Sequence, residues 1–166
     1  EPLVGFSDFA QAGATFPFGT HIAVAEVDTE TGHATVERII AVDDAGVIIN
    51  PLLAAGQIHG GLAQGIAQAL LEEFRYDEDG NPQTSNLADY TAISMMEVPM
   101  YERSFTETST PRNPLGAKGI GEAGSIGSTP AVQSAVIDAL APFGIRHLDM
   151  PLTPERIWSA LQSSGA

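Results

Sequence analysis

HIAVAEVD (His21–Asp28), TETGH and ATVERIIAVDD (Ala34–Asp44) form the stretch that decides the fold. Both flanking runs are rich in β-branched and small apolar residues. The connection, with Thr31-Gly32 at its centre, has the chemistry of a tight turn, so the stretch predicts a β-hairpin. Immediately downstream, Asn50-Pro51 opens LLAAGQIHGGLAQGIAQALLEEF, in which Ile58, Leu62, Ile66, Leu70 and Phe74 step by four along one face. That spacing predicts a helix to about Phe74. Gly56, Gly60, Gly61 and Gly65 lie in or near it, and each interior glycine costs roughly 0.8–1 kcal/mol against alanine. Either close approach of a backbone or ligand, or tight helix packing alone, must compensate.

Outward from this core, residues 1–20 show no periodicity and carry four phenylalanines, which suggests an entry segment lying over something apolar. After the long helix come a turn at Asp77–Pro82 and DYTAISMMEVPM, whose Met95, Met96 and Met100 read as core or interface filler. SFTETST (Ser104–Thr110) alternates weakly, as a strand does. A helix is predicted from Pro130 to about Leu140, and a last one in PLTPERIWSAL with Thr153 as N-cap and Pro154 at N1. The tail Gln162–Ala166 reads as frayed. The expected fold is α+β: a β-hairpin-led mixed sheet packed by two or three helices, with residues 1–166 forming a single domain.

Composition narrows the function. The 166 residues, 43% of them hydrophobic, suffice for a sizeable core. Seven Lys+Arg against 21 Asp+Glu give a net charge of −14, which disfavours nucleic acid and anionic membranes as partners. The window Leu52–Leu71 has no formal charge and contains GxxxG spacings, but three glutamines and a histidine argue against membrane insertion. With no cysteine, the chain holds no disulfide, thiolate metal site, iron–sulfur cluster or thiol nucleophile. No basic-then-apolar leader follows Glu1-Pro2, so no signal peptide is expected, and such a start suits a processed or excised piece.

The candidate site is NPLGAKGIGEAGSIG (Asn113–Gly127), which holds five of the 17 glycines, one cation, Lys118, and one carboxylate, Glu122. So bare a backbone can approach a ligand closely. If the loop feeds a helix starting near Pro130, the free N–H groups and the helix dipole favour an anion there. Among Gly, Ile and Ala, Glu122 could be poorly solvated, which would raise its pKa and make it a competent base. The alternative is a carboxylate that merely complements the dipole. Gln57, on the small-residue face of the long helix, offers a donor and an acceptor to a planar ligand.

Other chemistries fit less well. Gly119-x-Gly121-x-x-Gly124 matches the dinucleotide fingerprint, but PRNPLGAK rather than an apolar strand precedes it, and no G-K-[ST] marks a P-loop. A free-standing nucleotide-binding protein is thereby disfavoured. His21, His33, His59 and His147 lack metal-ligand spacing and read as structural, so no metal ligand is assigned. Asp43-Asp44, Glu72-Glu73 and Asp77–Asp79 read as solvated or turn charges, although Asp43-Asp44 ends a strand.

GQIHGGLAQGIAQALLEE (Gly56–Glu73) and NPLGAKGIGEAGSIG (Asn113–Gly127) resemble two signatures of the molybdenum hydroxylases, the xanthine dehydrogenase and aldehyde oxidase family. PFGTHIAVAEVD (Pro17–Asp28) and DMPLTPERIW (Asp149–Trp158) resemble the carbon monoxide dehydrogenase-like branch of large subunits. The resemblance covers essentially the whole chain, and neither signature departs from the family pattern. It implies the C-terminal part of a molybdopterin-binding subunit, with Glu122 as the general base that activates a water-derived oxygen toward carbon monoxide, an aldehyde or an N-heterocycle. It implies pterin contact by Gln57, and a loop of Lys118, Gly119, Ile120 and Gly121 whose backbone faces molybdopterin, expected as the cytosine dinucleotide. Iron–sulfur clusters and FAD would sit on partner chains in a cytoplasmic complex. The substrate-reading loop, including the cysteine that anchors copper in true carbon monoxide dehydrogenases, is not in this sequence. An isolated chain is then expected to be inactive. The competing expectation is a catalytically inactive binding or assembly module of the same fold.

Overall fold

The computed structural model describes residues 2–165; Glu1 and Ala166, and with them the two ends of the predicted entry and tail segments, lie outside the described residues. The hairpin is present as β1 (Phe18–Val27) and β2 (Ala34–Asp44), antiparallel, with Gly32 at φ 76° in the turn. That positive φ suits glycine, and a Cβ there would strike the Pro154 carbonyl. A bulge opposite Val24/Ala25 leaves Glu37 unpaired and resets the alternation of β2. Val36 therefore points inward before it, and Ile39, Ala41 and Asp43 after it.

A third strand, β3 (Tyr101–Thr106), pairs parallel to β2, giving the order β1-β2-β3. It begins and ends earlier than Ser104–Thr110, because Tyr101 already pairs with Ile39 and the ladder stops where β2 stops, at Asp44 opposite Thr106. Parallel neighbours need a long crossover. The chain supplies it with α1 (Pro51–Leu70) and the short α2 (Leu87–Tyr90). Asn50 caps α1, its side chain accepting from the Leu52 and Leu53 amides at 3.1 Å each. The helix stops at Leu70 rather than Phe74. Leu71 leaves helical backbone angles, and the Ala69 carbonyl accepts the Leu152 amide at 2.7 Å instead of continuing the ladder. Phe74 is consequently half exposed.

The helix placed at Pro130 begins seven residues earlier: α3 spans Ala123–Leu140 with Pro130 inside it. Packing decides this, because the bare backbones of Gly61 and Gly124 meet where a Cβ on Gly61 would lie 2.8 Å from the Gly124 Cα. Tertiary contact of this kind outweighs weak local propensity. The last helix, α4 (Pro154–Ser164), has the predicted Thr153 cap and ends at a left-handed Gly165, so the tail residues Gln162, Ser163 and Ser164 are helical. Ile58, Leu62 and Ile66 of α1, Val132, Val136 and Leu140 of α3, and Ile157 and Leu161 of α4 close one core with Val36 and Ile39. Burial of each large aliphatic side chain contributes about 1.5–3 kcal/mol.

Two groups of apolar side chains are exposed in this chain. Met95, Met96 and Met100 are 85–91% exposed, so they fill no part of this core. Phe6, Phe9 and Phe16 are also exposed, on an N-terminal segment that forms no strand or helix. No helix among the described residues is long and apolar enough to cross a membrane.

Candidate functional site

The glycine stretch divides into three parts with different surroundings. Its base, Asn113–Lys118, is fixed against the chain that leaves β2. The Gly116 carbonyl accepts the Val47 and Thr110 amides, the Lys118 amide donates to the Ala45 carbonyl at 2.7 Å, and Ala117 bridges Gly46. Gly46 and Gly116 both have positive φ, and a Cβ on Gly46 would collide with the Gly116 carbonyl. Two strands of loop can lie this close only without side chains.

The tip, Gly119–Gly121, is the opposite. The Gly119, Ile120 and Gly121 amides meet no acceptor among the described residues. A Cβ on Gly119 would touch nothing within 4 Å, and one on Gly121 only Gln57 Oε1, at 3.9 Å. The third part, from Ala123 onward, is α3 itself. The helix N-terminus thus lies directly after the loop tip, not near Pro130, and any anion favoured by its dipole would sit there.

Gln57 and the tip face one cleft of about 280 Å³, between Ile48, Asn50, Leu53 and Gln57 on one side and Lys118 and Ile120 on the other. The Gln57 side chain is exposed and has no hydrogen-bond partner among the described residues, so its donor and acceptor are both free. Gln57, Lys118, Ile120 and Gly121 are thus together, with Gly119 beside them in the chain. Glu122 occupies the N-cap position of α3 without capping it, and its carboxylate is exposed. It does not line the cleft. The burial expected for it is absent in this chain, where its glycine and alanine neighbours leave it open to water.

Lys118 is not free to meet a ligand through its ammonium. Its Nζ donates to Asp44 Oδ1 at 2.9 Å and lies 4.6 Å from the Phe18 ring centroid. Asp44 is fully buried and also accepts from the Gly46 amide (3.0 Å), Thr106 Oγ1 (3.0 Å) and the Thr108 amide (2.7 Å). Burial pushes its carboxyl up, but the Lys118 ammonium and these donors outweigh that and hold it well below the usual carboxylate range.

The solvated reading of Asp43-Asp44 is therefore corrected. Asp43 is also buried and pairs with His21 Nε2 at 3.0 Å, while His21 Nδ1 is buried without a partner. This pair adjoins a cavity of about 90 Å³ that reaches Ala123 and Gly127 at the start of α3. Strand alternation could have found Asp43, which shares the inward phase of Ile39 and Ala41. Nothing in the spacing marks Asp44, whose partners other than Gly46 come from 62 to 74 residues away. Of the other histidines, His59 packs on the Tyr101 ring and His147 bonds Asp149 on the surface. No cluster of three or more His, Cys, Asp or Glu suited to a metal ion occurs among the described residues.

Against known proteins, residues 6–99 match the molybdopterin cofactor-binding domain family. The chain is 43% identical to the carbon monoxide dehydrogenase large chain of Hydrogenophaga pseudoflava over 89% of its own length and 18% of that protein's. It is 42% identical to the nicotine 6-hydroxylase large subunit of Paenarthrobacter nicotinovorans over 86% of itself and 17% of the relative. Its fold superposes on reconstituted CO dehydrogenase from Oligotropha carboxidovorans with a TM-score of 0.87 and 38% identity, covering 91% of this chain and 19% of that one. The chain thus spans under a fifth of the length of these relatives.

Proposed function

The chain belongs to the molybdopterin cofactor-binding domain family, and from that premise we propose that it completes the cofactor pocket of a molybdenum hydroxylase as the C-terminal part of the large subunit. The observation that carries the reading is the meeting of Gln57, on α1, with the unbonded amides of Gly119–Gly121, 62 to 64 residues later in the chain, across one cleft. This donor set fits a planar heterocycle with an anionic tail: N–H groups without internal acceptors, a free primary amide, no Cβ to block approach, and a helix N-terminus beside them. Gln57 would bond the pterin edge through its amide. Gly119, Ile120 and Gly121 would offer main-chain amides to the same group, with Lys118 holding their base. Molybdopterin, when bound, supplies the two-electron redox chemistry.

Glu122 follows the tip directly and is the chain's candidate general base, holding the proton released as water-derived oxygen adds to carbon monoxide, an aldehyde or an N-heterocycle. The dry surroundings that such a base needs must come from further polypeptide. Exposed Phe6, Phe9 and Phe16 support the same view, as surfaces for the remainder of the subunit. The reading carries with it the cytosine dinucleotide form of the cofactor, iron–sulfur and flavin subunits, a cytoplasmic location, and no turnover by the isolated chain.

Glu122→Gln in the complete enzyme tests it. General-base catalysis contributes about 10²- to 10⁴-fold, so kcat should fall by that factor with molybdenum and pterin content unchanged. Turnover within a few-fold of wild type defeats the base assignment. A complete complex that carries no molybdenum or pterin favours the inactive binding or assembly module, a reading to which the exposed, unpartnered carboxylate gives some weight.

A further inference from the structure

The cleft leaves Asp44 unused: it touches neither the open amides nor Gln57, yet it is the most heavily bonded side chain near them. Its two oxygens tie three separate segments together. Oδ1 takes Lys118 Nζ and the Gly46 amide; Oδ2 takes Thr106 Oγ1 and the Thr108 amide. A carboxylate with four donors in a site closed to water is a rigid node, since each bond is charge-assisted and none competes with solvent. Lys118 is the single residue through which that node reaches the tip. Its side chain is 8% exposed, its ammonium is taken by Asp44 and its amide by Ala45. The amides of the next three residues meet no acceptor among the described residues, while the Ile120 carbonyl accepts the Ala123 amide at 3.1 Å, so the tip is held by Lys118 on one side and by the start of α3 on the other.

We propose that Asp44 is a positioning residue for this site: clamped between the end of β2 and the chain after β3, it holds Lys118 and so fixes the place from which Gly119–Glu122 is presented. Lys118 is then an inward strut whose charge serves the loop and not a ligand. The inference rests on the reading of Gly119–Glu122 as the cofactor-facing loop, but the strut itself does not depend on the chemistry of Glu122.

The test uses Asp44→Asn, Lys118→Met and the double variant in the complete enzyme, with amide hydrogen exchange, molybdenum content and turnover per bound molybdenum measured on each. Each single change should speed exchange at residues 117–123 at least about tenfold while α1 stays protected, and lower kcat per molybdenum about 10- to 100-fold with little change in KM, as expected for a loop displaced by about an ångström. Because the two groups act as a unit, the double variant should be no worse than the worse single. It also removes both charges, so it keeps the test alive if a lone buried charge prevents either single variant from folding. Unchanged exchange at 117–123, or strictly additive losses, overturns the inference. Faster loop exchange with full turnover per molybdenum supports the strut and sinks instead the assignment of this loop to catalysis. A fall in melting temperature with both loop exchange and turnover unchanged reduces Asp44 to a fold-stabilising role and also overturns it.

Discussion

Gly61 and Gly65 on α1 share a helix with Gly56 and Gly60, yet the two pairs do different things. A Cβ on Gly61 would lie 2.8–2.9 Å from the backbone of Gly124 and Ser125, and one on Gly65 would overlap Ser128 and come within 2.8 Å of the Thr129 amide. These glycines close the seam between α1 and α3. Gly56 and Gly60, like Gly119 in the loop tip, have nothing within 4 Å of the position a Cβ would take. Nothing in this chain requires them to be bare. The contrast resolves the two explanations of a glycine-rich helix by position: packing for the seam pair, and open backbone for the others. It also separates what the fold needs from what a ligand or further polypeptide could need.

The contrast breaks most plainly at the seam. Gly65→Val forces a branched side chain into backbone and should cost about 3 kcal/mol, seen as a lower urea midpoint at unchanged slope. A midpoint equal to wild type would mean that the helices are not in contact there. Acid should act elsewhere, on the base of the loop. Asp44 has a lowered folded-state pKa, so its contribution to stability is fully present above the unfolded value of about 4 and is lost as pH falls toward the folded value. Denaturation midpoints should therefore fall below about pH 4 more steeply in wild type than in the Asp44→Asn/Lys118→Met double variant, while Gly65→Val should leave that slope unaltered. The smallest effect is expected at the open glycines. Gly60→Ala meets no neighbour and should stabilise the helix by roughly 0.5–1 kcal/mol. If it destabilises instead, the seam and the open surface are not distinct.

Legibility in the sequence followed the range of the interaction. The hairpin, the helix start at Asn50-Pro51, the Thr153 cap, and the face of Ile58, Leu62, Ile66 and Leu70 are set by neighbours within a few residues, and they stand as read. Where α1 ends and where α3 begins was misjudged for one reason. Leu152 takes the Ala69 carbonyl at one helix end, and Gly61 receives Gly124 at the other, both across distances that no local pattern records. The same holds at the site. Gln57 and the glycine loop were visible as motifs, whereas the inward turn of Lys118 onto Asp44 was not.

The sequence by itself determined the strand-turn-strand, the amphipathic helices and a loop whose bare backbone allows close approach, because each of these follows from backbone freedom and local periodicity. Only the tertiary structure decided which bare backbone is buried and which is left open, and which of two adjacent aspartates receives a lysine 74 residues away. The physical reason is that burial of a charge or a glycine depends on what the rest of the chain brings against it.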